Sequence, residues 1–342
     1  MDKRLILAVA GSGKTTFIVD HIESTQRVLL ITYTDNNYNI LIKKLRDKFH
    51  VIPKNIYVTT YFSFLYSFCF KPFYFLDYRT KGLTFKQVSQ QILSIPKKNI
   101  ARYITKSKYV YHCNLADFLL RHNINLIMER IKRHYDYIYI DEVQDFASYD
   151  FDFILKIAKC DINILYLGDF YQHTFDTSNS GNKASNLYKN GIANYEKKFN
   201  GILNIDKVTL SKSYRCKRNI CDFISMLGMK IQSHHEEDAC ITPLEKENEI
   251  LDCLKNDNIV KLFYKECQKY PFNSNNWGAC KGSTFGDVCV ITTKDVHAAI
   301  KTKFFENLSP ITRNKFYVAC SRASNNLFFI EGSKVKSFKK SI

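Results

Sequence analysis

A short apolar segment that runs directly into a glycine-rich turn restricts the possible folds of this chain more than any other feature. Residues 5–9 are apolar, residues 10–16 read AGSGKTT, and a helical pattern follows. A strand that ends in such a turn before a helix gathers backbone N–H groups around a phosphate at the helix N-terminus. The pattern predicts an α/β fold with a phosphate-binding loop, although Ala8 replaces the first glycine of the usual motif.

The residues of this turn have distinct predicted roles. Lys14 would reach the terminal phosphates of ATP, and the hydroxyl of Thr15 would bind Mg²⁺. The predicted nucleotide contacts of the turn are Ala10, Gly11, Ser12, Gly13, Lys14, Thr15 and Thr16. A chance glycine turn is the alternative, but it does not require the flanking strand and helix that the sequence supplies.

Residues 137–142, YIYIDE, predict a second strand that ends in two acids. Asp141 would hold Mg²⁺, and Glu142 would take the proton from the water that attacks the phosphate. An exposed acidic pair at a strand end is the alternative, which the glycine turn makes less favoured. Together the two segments predict hydrolysis of a nucleoside triphosphate.

Alternating apolar and helical patterns predict parallel sheets with crossover helices. At 342 residues the chain exceeds one compact core, so two domains are expected. We predict domains at 1–190 and 191–342, separated in the polar segment 177–191, with a small insertion at about 65–135. The candidate strands are 5–9, 28–33, 56–59, 137–140, 162–167, 208–210, 259–264, 288–292 and 327–330.

Composition favours a polyanionic partner. The 50 Lys and Arg residues exceed the 33 Asp and Glu residues, which gives a net charge of +17. Cations of this excess neutralise nucleic-acid phosphates, although an AT-rich coding sequence also produces such a composition. The eleven cysteines form no C-x-x-C pair, so we expect reduced thiols and no zinc site. The longest apolar run, 62–76, is too short to span a bilayer, and a cytoplasmic protein without membrane contact is expected.

Eight short segments, taken in order, resemble the motif series of superfamily 1 helicases of the UvrD/Rep type. The resemblance extends from Gly11 to Ala323, and DEVQDF and YVACSRA are its most specific parts. The segments are GSGKTT (11–16), TYTDNN (32–37), TYFSF (60–64), DEVQDF (141–146), GDFYQ (168–172), SYR (213–215), KGSTFGDV (281–288) and YVACSRA (317–323).

The resemblance implies two RecA-like domains with ATP in the cleft between them. Gln172 would couple the γ-phosphate to domain closure, Arg215 and Arg322 would reach that phosphate, and Tyr214 would stack on the base. Arginines that approach only on closure make catalysis depend on domain movement. Surface arginines of a basic protein are the alternative.

The resemblance also implies contacts with single-stranded DNA. Aromatic faces stack on any base and backbone groups hold phosphates, so little sequence preference is expected. The matching positions are Thr34, Thr60, Phe62, Phe175, Lys281 and Thr284. Core packing is an equal alternative for any one of the aromatic residues.

The sequence departs from the family pattern at several points. No Gln precedes the glycine turn, where relatives use one to read adenine, so weak selection among purines is expected. Phe62 replaces the usual His, Ser213 the usual Asn and Thr284 the usual Glu. Arg215 and Lys281 are too close in sequence to enclose the large accessory subdomain of full-sized relatives.

The preferred function is therefore an ATP-dependent DNA helicase or translocase that acts on single-stranded DNA. One alternative is an NTP-gated switch that senses DNA and controls a partner protein such as a nuclease. A nucleic-acid-binding protein with an inactive ATPase site is a further alternative, which the presence of Lys14, Asp141, Glu142 and Arg322 disfavours.

Overall fold

The computed structural model describes residues 1–173, 187–188 and 191–339. The chain forms two compact units. As far as these ranges are described, the first unit comprises Met1–Ile6, Lys14–Gly168 and Phe175–Asp206, and the second comprises Leu7–Gly13, Asp169–Thr174 and Lys207–Ile342. The predicted domain boundary near residue 190 lies outside the described residues and stays a prediction.

The first unit is built on a six-stranded sheet with the order β3-β2-β6-β7-β1-β8. Its middle strands are almost completely buried, as expected for a parallel sheet covered on both faces. A separate pair of strands, β4 and β5, is also parallel. The strands are β1 (Lys3–Leu7), β2 (Val28–Thr32), β3 (Ile56–Thr60), β4 (Gly82–Thr84), β5 (Tyr109–Tyr111), β6 (Tyr137–Ile140), β7 (Asn163–Gly168) and β8 (Asn204–Asp206).

The helices of the first unit bury apolar stripes. In α7, Ile124, Ile127 and Ile131 recur at helical spacing and are all buried. A π-helix at Phe64–Phe70 lies between α3 and α4. The helices are α1 (Lys14–Asp20), α2 (Asp35–Phe49), α3 (Tyr61–Ser63), α4 (Lys71–Tyr78), α5 (Gln90–Ser94), α6 (His112–His122), α7 (Ile124–His134), α8 (Ser148–Ile157) and α9 (Gly191–Lys197).

The second unit contains a five-stranded parallel sheet with the order β11-β15-β14-β12-β13, and a short parallel pair, β9 and β10. The strands are β9 (Lys212–Ser213), β10 (Gln232–Ser233), β11 (Ile241–Pro243), β12 (Ile259–Phe263), β13 (Ser274–Asn276), β14 (Asp287–Thr292) and β15 (Leu327–Glu331). The helices are α10 (Arg218–Ser225), α11 (Glu247–Lys255), α12 (Lys294–Thr302) and α13 (Pro310–Cys320).

Short 3-10 turns connect several of these elements. They lie at Ile100–Arg102, Val143–Asp145, Phe170–Gln172, Cys267–Lys269 and Gly332–Phe338. Two of them, Val143–Asp145 and Phe170–Gln172, directly follow the predicted strand-end motifs DE and GD. The residues of these motifs are therefore held in tight turns and not in extended loops.

The predicted α/β fold with parallel sheets is confirmed. The strand predicted at 208–210 is wrong, because the strand at this point is β8, Asn204–Asp206. Val208 is 80% exposed and begins a turn in which the backbone N–H and the hydroxyl of Ser211 both donate to its carbonyl. The apolar pattern predicts a buried strand here, but the side chain of Val208 is directed to solvent.

The cysteines and the helices can be compared with what the composition predicted. All eleven cysteines are free, and most are buried as small apolar side chains. Within the described ranges, the helices all fall short of the length and apolar character that a membrane span requires.

Candidate active site and nucleic-acid surface

The glycine turn connects β1 to α1 and needs glycine for two reasons. Gly11 and Gly13 have φ angles of +73° and +82°, a region that side chains with a Cβ rarely adopt. A Cβ on Gly11 would also lie 2.6 Å from the Cβ of Arg215 and 2.7 Å from the Oγ of Ser213. The turn therefore packs directly against the SYR segment of the second unit.

Hydrogen bonds within the second unit hold the backbone of this turn. The N–H of Ala10 donates to the hydroxyl of Tyr317 (2.8 Å), and the carbonyl of Gly11 accepts from the N–H of Tyr214 (2.9 Å). The hydroxyl of Ser12 is buried and has no hydrogen-bond partner among the described residues. A buried polar atom without a partner costs free energy unless a ligand or water satisfies it, so this turn fits a ligand with acceptor oxygens.

Tyr317 links the turn to the GDFYQ segment. Its hydroxyl donates to Oδ2 of Asp169 (2.6 Å), and the same carboxylate oxygen accepts from Nε2 of Gln172 (2.9 Å). Burial raises the pKa of Tyr317 well above its usual value, so the hydroxyl keeps its proton. The sequence alone does not reveal the contact between Tyr317 and Asp169, although these residues lie in the YVACSRA and GDFYQ segments.

Arg215 and Arg322 come together in the second unit, although they are 107 positions apart in sequence. Arg215 donates to the hydroxyl of Thr284 (2.7 Å) and to the carbonyl of Ser321 (3.1 Å). Arg322 is 1% exposed and donates to the carbonyls of Val318 and Ser283 and to the hydroxyl of Ser321. The SYR, KGSTF and YVACSRA segments therefore meet around two guanidinium groups.

The positive charges of Arg215 and Arg322 repel each other. Burial, together with the nearby charge of Arg322, lowers the pKa of Arg215 to about 10, which leaves the group charged at neutral pH. In the described part of the chain, neither guanidinium forms an ion pair with a carboxylate. Two adjacent cations, Arg322 buried and Arg215 half-buried, are well suited to a polyanion such as a triphosphate.

The acidic strand end belongs to the first unit. Asp141 follows β6, is 1% exposed, and accepts a hydrogen bond from the N–H of Glu142 (2.9 Å). Glu142 has a φ of 57°, and its carboxylate accepts from the side-chain amide of Gln144. A Cβ on Gly168 would lie 2.5 Å from the Oε1 of Gln144, so the end of β7 packs closely on this turn. Positive φ at a non-glycine residue is uncommon and concentrates at functional sites.

Lys14, Thr15 and Thr16 form the first turn of α1, also in the first unit. Lys14 and Thr15 are partly exposed, and the hydroxyl of Thr16 accepts from Nζ of Lys44 (3.0 Å). A carboxylate such as Asp141 and a hydroxyl such as Thr15 are hard oxygen ligands of the kind that Mg²⁺ prefers. The residue types therefore fit the predicted metal site.

Tyr214 presents an aromatic face in the second unit. It is 62% exposed and stacks on His234, with ring centroids 3.7 Å apart and an interplanar angle of 13°. The Nε2 of His235 hydrogen-bonds to the backbone carbonyl of Tyr214 (2.8 Å). The predicted base-stacking residue thus has a partner ring, His234, that sequence reasoning did not identify as part of the site.

Three of the predicted nucleic-acid contacts lie at the ends of neighbouring strands of the first unit. Thr34 follows β2, while Thr60 and Phe62 end and follow β3, and Thr32 pairs with Thr60 in the sheet. Thr34 caps α2 by accepting from the N–H of Asn37 (3.2 Å), and the rings of Tyr33 and Phe62 are 5.6 Å apart. Parallel strands end at one edge, so the fold brings these predicted contacts together.

The remaining predicted nucleic-acid contacts are placed differently. Lys281 and Thr284 belong to the second unit, where the exposed Thr284 accepts the hydrogen bond from Arg215. Phe175 lies outside the described residues. These assignments, like the other site roles, stay predictions.

Similarity to known proteins bears on these sites. Residues 85–331 match the family described as the viral superfamily 1 RNA helicase core domain. This match confirms superfamily 1, and it does not confirm the UvrD/Rep type within it. Comparison of the sequence with curated proteins gave no match.

Two solved helicase structures share the fold. The arterivirus nonstructural protein 10 helicase in complex with DNA gives a TM-score of 0.53 at 14% identity, over 96% of this chain and 61% of that chain. A crystal structure of arterivirus nonstructural protein 10 gives 0.52 at 14% identity, over 99% and 62%. The chain spans about three fifths of the length of these helicases. At this identity the likeness concerns the fold.

Proposed function

Because this chain belongs to the viral superfamily 1 RNA helicase core family, we propose that it is an ATP-dependent helicase or translocase that acts on single-stranded DNA. The family implies hydrolysis of a nucleoside triphosphate, and ATP is the nucleotide proposed here. The observation that carries the proposal is that Arg215 and Arg322 lie next to each other around Ser321, in the unit that also contains the glycine turn. Two adjacent cations that have no carboxylate partner among the described residues would stabilise negative charge on a transferring phosphoryl group.

The other site residues have complementary roles in this proposal. Amides of the glycine turn and the ammonium group of Lys14 would bind the phosphates, while Thr15 and Asp141 would hold Mg²⁺. Bound Mg²⁺ supplies charge neutralisation on the phosphate oxygens. Glu142 would accept the proton of the attacking water, and its hydrogen bond with Gln144 fixes the orientation of the carboxylate.

Tyr214 would stack on the purine base. Stacking holds the face of a base and does not read its edge, so we expect weak discrimination between ATP and GTP. Gln172 would report the state of the nucleotide, because its amide shares the Asp169 carboxylate with Tyr317. Both ends of that connection lie in segments predicted to bind phosphate or couple to it.

Nucleic acid is the proposed partner for two reasons. The net charge of +17 favours polyanions, and an arterivirus helicase of the same fold was solved with DNA. Single-stranded RNA is the second candidate, which the description of the matching family favours. A DNA-sensing switch that controls a partner such as a nuclease shares the same residues, and it differs in that strands would not be separated.

Steady-state hydrolysis of ATP tests the proposal most directly. We expect turnover with Mg²⁺ that single-stranded DNA stimulates, no turnover in Lys14→Ala, and ATP binding without turnover in Glu142→Gln. The exposed Glu247 of α11 supplies a matched control, Glu247→Gln, which should behave as the parent.

Two further outcomes separate the alternatives. Displacement of a strand from tailed duplexes supports a helicase, whereas stimulated hydrolysis without displacement supports the switch. If RNA stimulates hydrolysis and DNA does not, RNA is the substrate. Normal turnover in Lys14→Ala or Glu142→Gln would refute the assigned site.

A further inference from the structure

A long segment of the first unit is basic without any compensating acid. From residue 78 to residue 116 the sequence contains eight Lys and Arg residues and no Asp or Glu. Five of the lysines are exposed, and within the described ranges none of them forms an ion pair: Lys81, Lys86, Lys98, Lys106 and Lys108. Solvated lysines grouped in this way attract a polyanion.

Three aromatic rings lie in the same part of the unit. Phe85 stacks on His112, with centroids 4.6 Å apart and an interplanar angle of 29°. Phe62 meets both rings edge-on, at 5.7 Å from Phe85 and 5.1 Å from His112. Phe62 and His112 are half-buried, whereas Phe85 is 64% exposed. Packing within the unit therefore covers part of Phe62 and His112 and leaves most of Phe85 exposed.

The fold holds this stack in place. Strands β4 and β5 pair with Thr84 opposite Tyr111, so Phe85 and His112 follow the two strands at the same end. Nδ1 of His112 hydrogen-bonds to the carbonyl of Thr84 (3.0 Å), which fixes the ring beside Phe85. Burial lowers the pKa of His112, so its ring is uncharged at neutral pH. A flat neutral support of this kind favours stacking of a further ring on Phe85.

We propose that Phe85, supported by His112 and Phe62, is a base-stacking subsite for single-stranded DNA, with the exposed lysines of this segment, among them Lys86 next to Phe85, holding phosphates along the bound DNA. The inference rests on the proposed function and extends the contacts predicted at Thr60 and Phe62 into the β4–β5 segment. An exposed aromatic face in a segment that carries lysines and no acids is the combination that binds single-stranded nucleic acid with little sequence preference.

The charge of the segment argues for a nucleic acid over a protein segment as the occupant. Phe62 belongs both to the predicted contacts at the strand ends and to the aromatic stack. A single strand of DNA could therefore extend from Thr60 to Phe85 within the first unit. Thr60 donates its hydroxyl to Ser63 (2.9 Å) at the start of this path. The subsite would thus lengthen the bound strand by the base that rests on Phe85.

Titration of a single-stranded DNA that carries 2-aminopurine tests the subsite, because stacking on an aromatic ring quenches this base. Phe85→Ala should bind about ten-fold more weakly and lose part of the quenching, whereas Phe85→Trp should retain both. Phe75→Ala is the matched control, since Phe75 is 44% exposed in the same unit and has no ring contact with the stack. Hydrolysis without DNA and the melting temperature should stay unchanged in Phe85→Ala, because the side chain is mostly exposed.

The outcomes separate this inference from the proposed function. DNA binding by Phe85→Ala equal to that of the parent and of Phe75→Ala would overturn the subsite and leave the proposed function intact. An effect confined to RNA of the same sequence would overturn DNA as the occupant. Failure of the parent protein to bind any single strand would overturn both proposals.

Discussion

At the scale of the residue, the hydroxyl of Tyr317 connects two motifs that are far apart in sequence. It accepts from the N–H of Ala10 and donates to Asp169, which also accepts from Gln172. All of these groups are buried. Loss of the hydroxyl would leave a buried donor of the glycine turn without its partner.

Tyr317→Phe should therefore lower the free energy of unfolding by about 1–3 kcal/mol and reduce ATP turnover. Urea unfolding and steady-state hydrolysis measure the two effects. Tyr264→Phe is the control, because Tyr264 lies in the same unit and its hydroxyl has no hydrogen bond among the described residues. If both variants are equally stable and active, the connection through Tyr317 has no energetic role.

At the scale of the element, the glycine turn between β1 and α1 combines a special backbone conformation with close packing. Gly11 and Gly201 share the same φ of +73°, but only Gly11 has neighbours within reach of an added Cβ. The pair therefore separates the cost of the backbone conformation from the cost of the lost space.

Gly201→Ala should cost about 1 kcal/mol, from the left-handed conformation alone. Gly11→Ala should cost at least about 2 kcal/mol more, because its Cβ would overlap Arg215 and Ser213, and it should bind ATP poorly. Chemical unfolding of both variants and a nucleotide-binding titration check this. Equal destabilisation of the two variants would show that the turn yields to the added atom.

Helix α8 is joined to α3 by a buried acid. The hydroxyl of Tyr61 donates to Oδ1 of Asp150 (3.0 Å), and burial raises the pKa of Asp150 to about 7, a rise that the Tyr61 hydrogen bond partly opposes. The ordinary value is 3.8. Between these values the folded protein retains a proton that the unfolded chain releases, so stability falls as the pH rises.

Because of Asp150, the free energy of unfolding should decrease by up to about 1.4 kcal/mol for each unit that the pH rises between about pH 4 and pH 7. Asp150→Asn cannot titrate but can still accept from Tyr61, so its stability should depend less on pH. Unfolding across this range, with the exposed Asp252→Asn of α11 as control, measures the difference. Parallel pH profiles for parent and Asp150→Asn would contradict the assignment.

At the scale of the whole molecule, the proposal requires that nucleotide and DNA influence each other. Arg322 is the residue through which this is expected, because arginines of this motif act on the transition state of phosphoryl transfer. In the structure its guanidinium is held by Val318, Ser283 and Ser321, next to Arg215. It is therefore positioned by contacts within its own unit.

Arg322→Lys keeps a positive charge but loses the planar group, so hydrolysis should fall by roughly 10³-fold while ATP affinity changes little. Single-stranded DNA should stimulate the parent and leave this variant almost unaffected. Because Arg322 also hydrogen-bonds to the backbone carbonyls of Val318 and Ser283, the melting temperature of the variant is measured as well. Arg218→Lys, at an exposed position, is the control. Full DNA-stimulated turnover in Arg322→Lys would refute the coupled motor.

Local patterns in the sequence were enough to predict the α/β fold, and the resemblance of eight short segments to a known motif series indicated superfamily 1. A strand, a glycine turn and a helix occur within 20 residues, and YIYIDE joins a strand to its acids, so the pattern of neighbouring residues indicates these elements. The error at 208–210 arose where an apolar residue was exposed, which periodicity does not reveal.

Only the tertiary structure decided which distant side chains meet. Ala10 and Tyr317 are 307 positions apart, Arg215 and Arg322 both hydrogen-bond to Ser321, and Phe85 stacks on His112. Such contacts depend on how sheets and helices pack, and many side chains of the same type occur along a chain with 14% aromatic residues. Short-range spacing indicates an element because apolar periodicity and turn residues are local signals, whereas a site assembled from several elements is determined by the packing of the whole core.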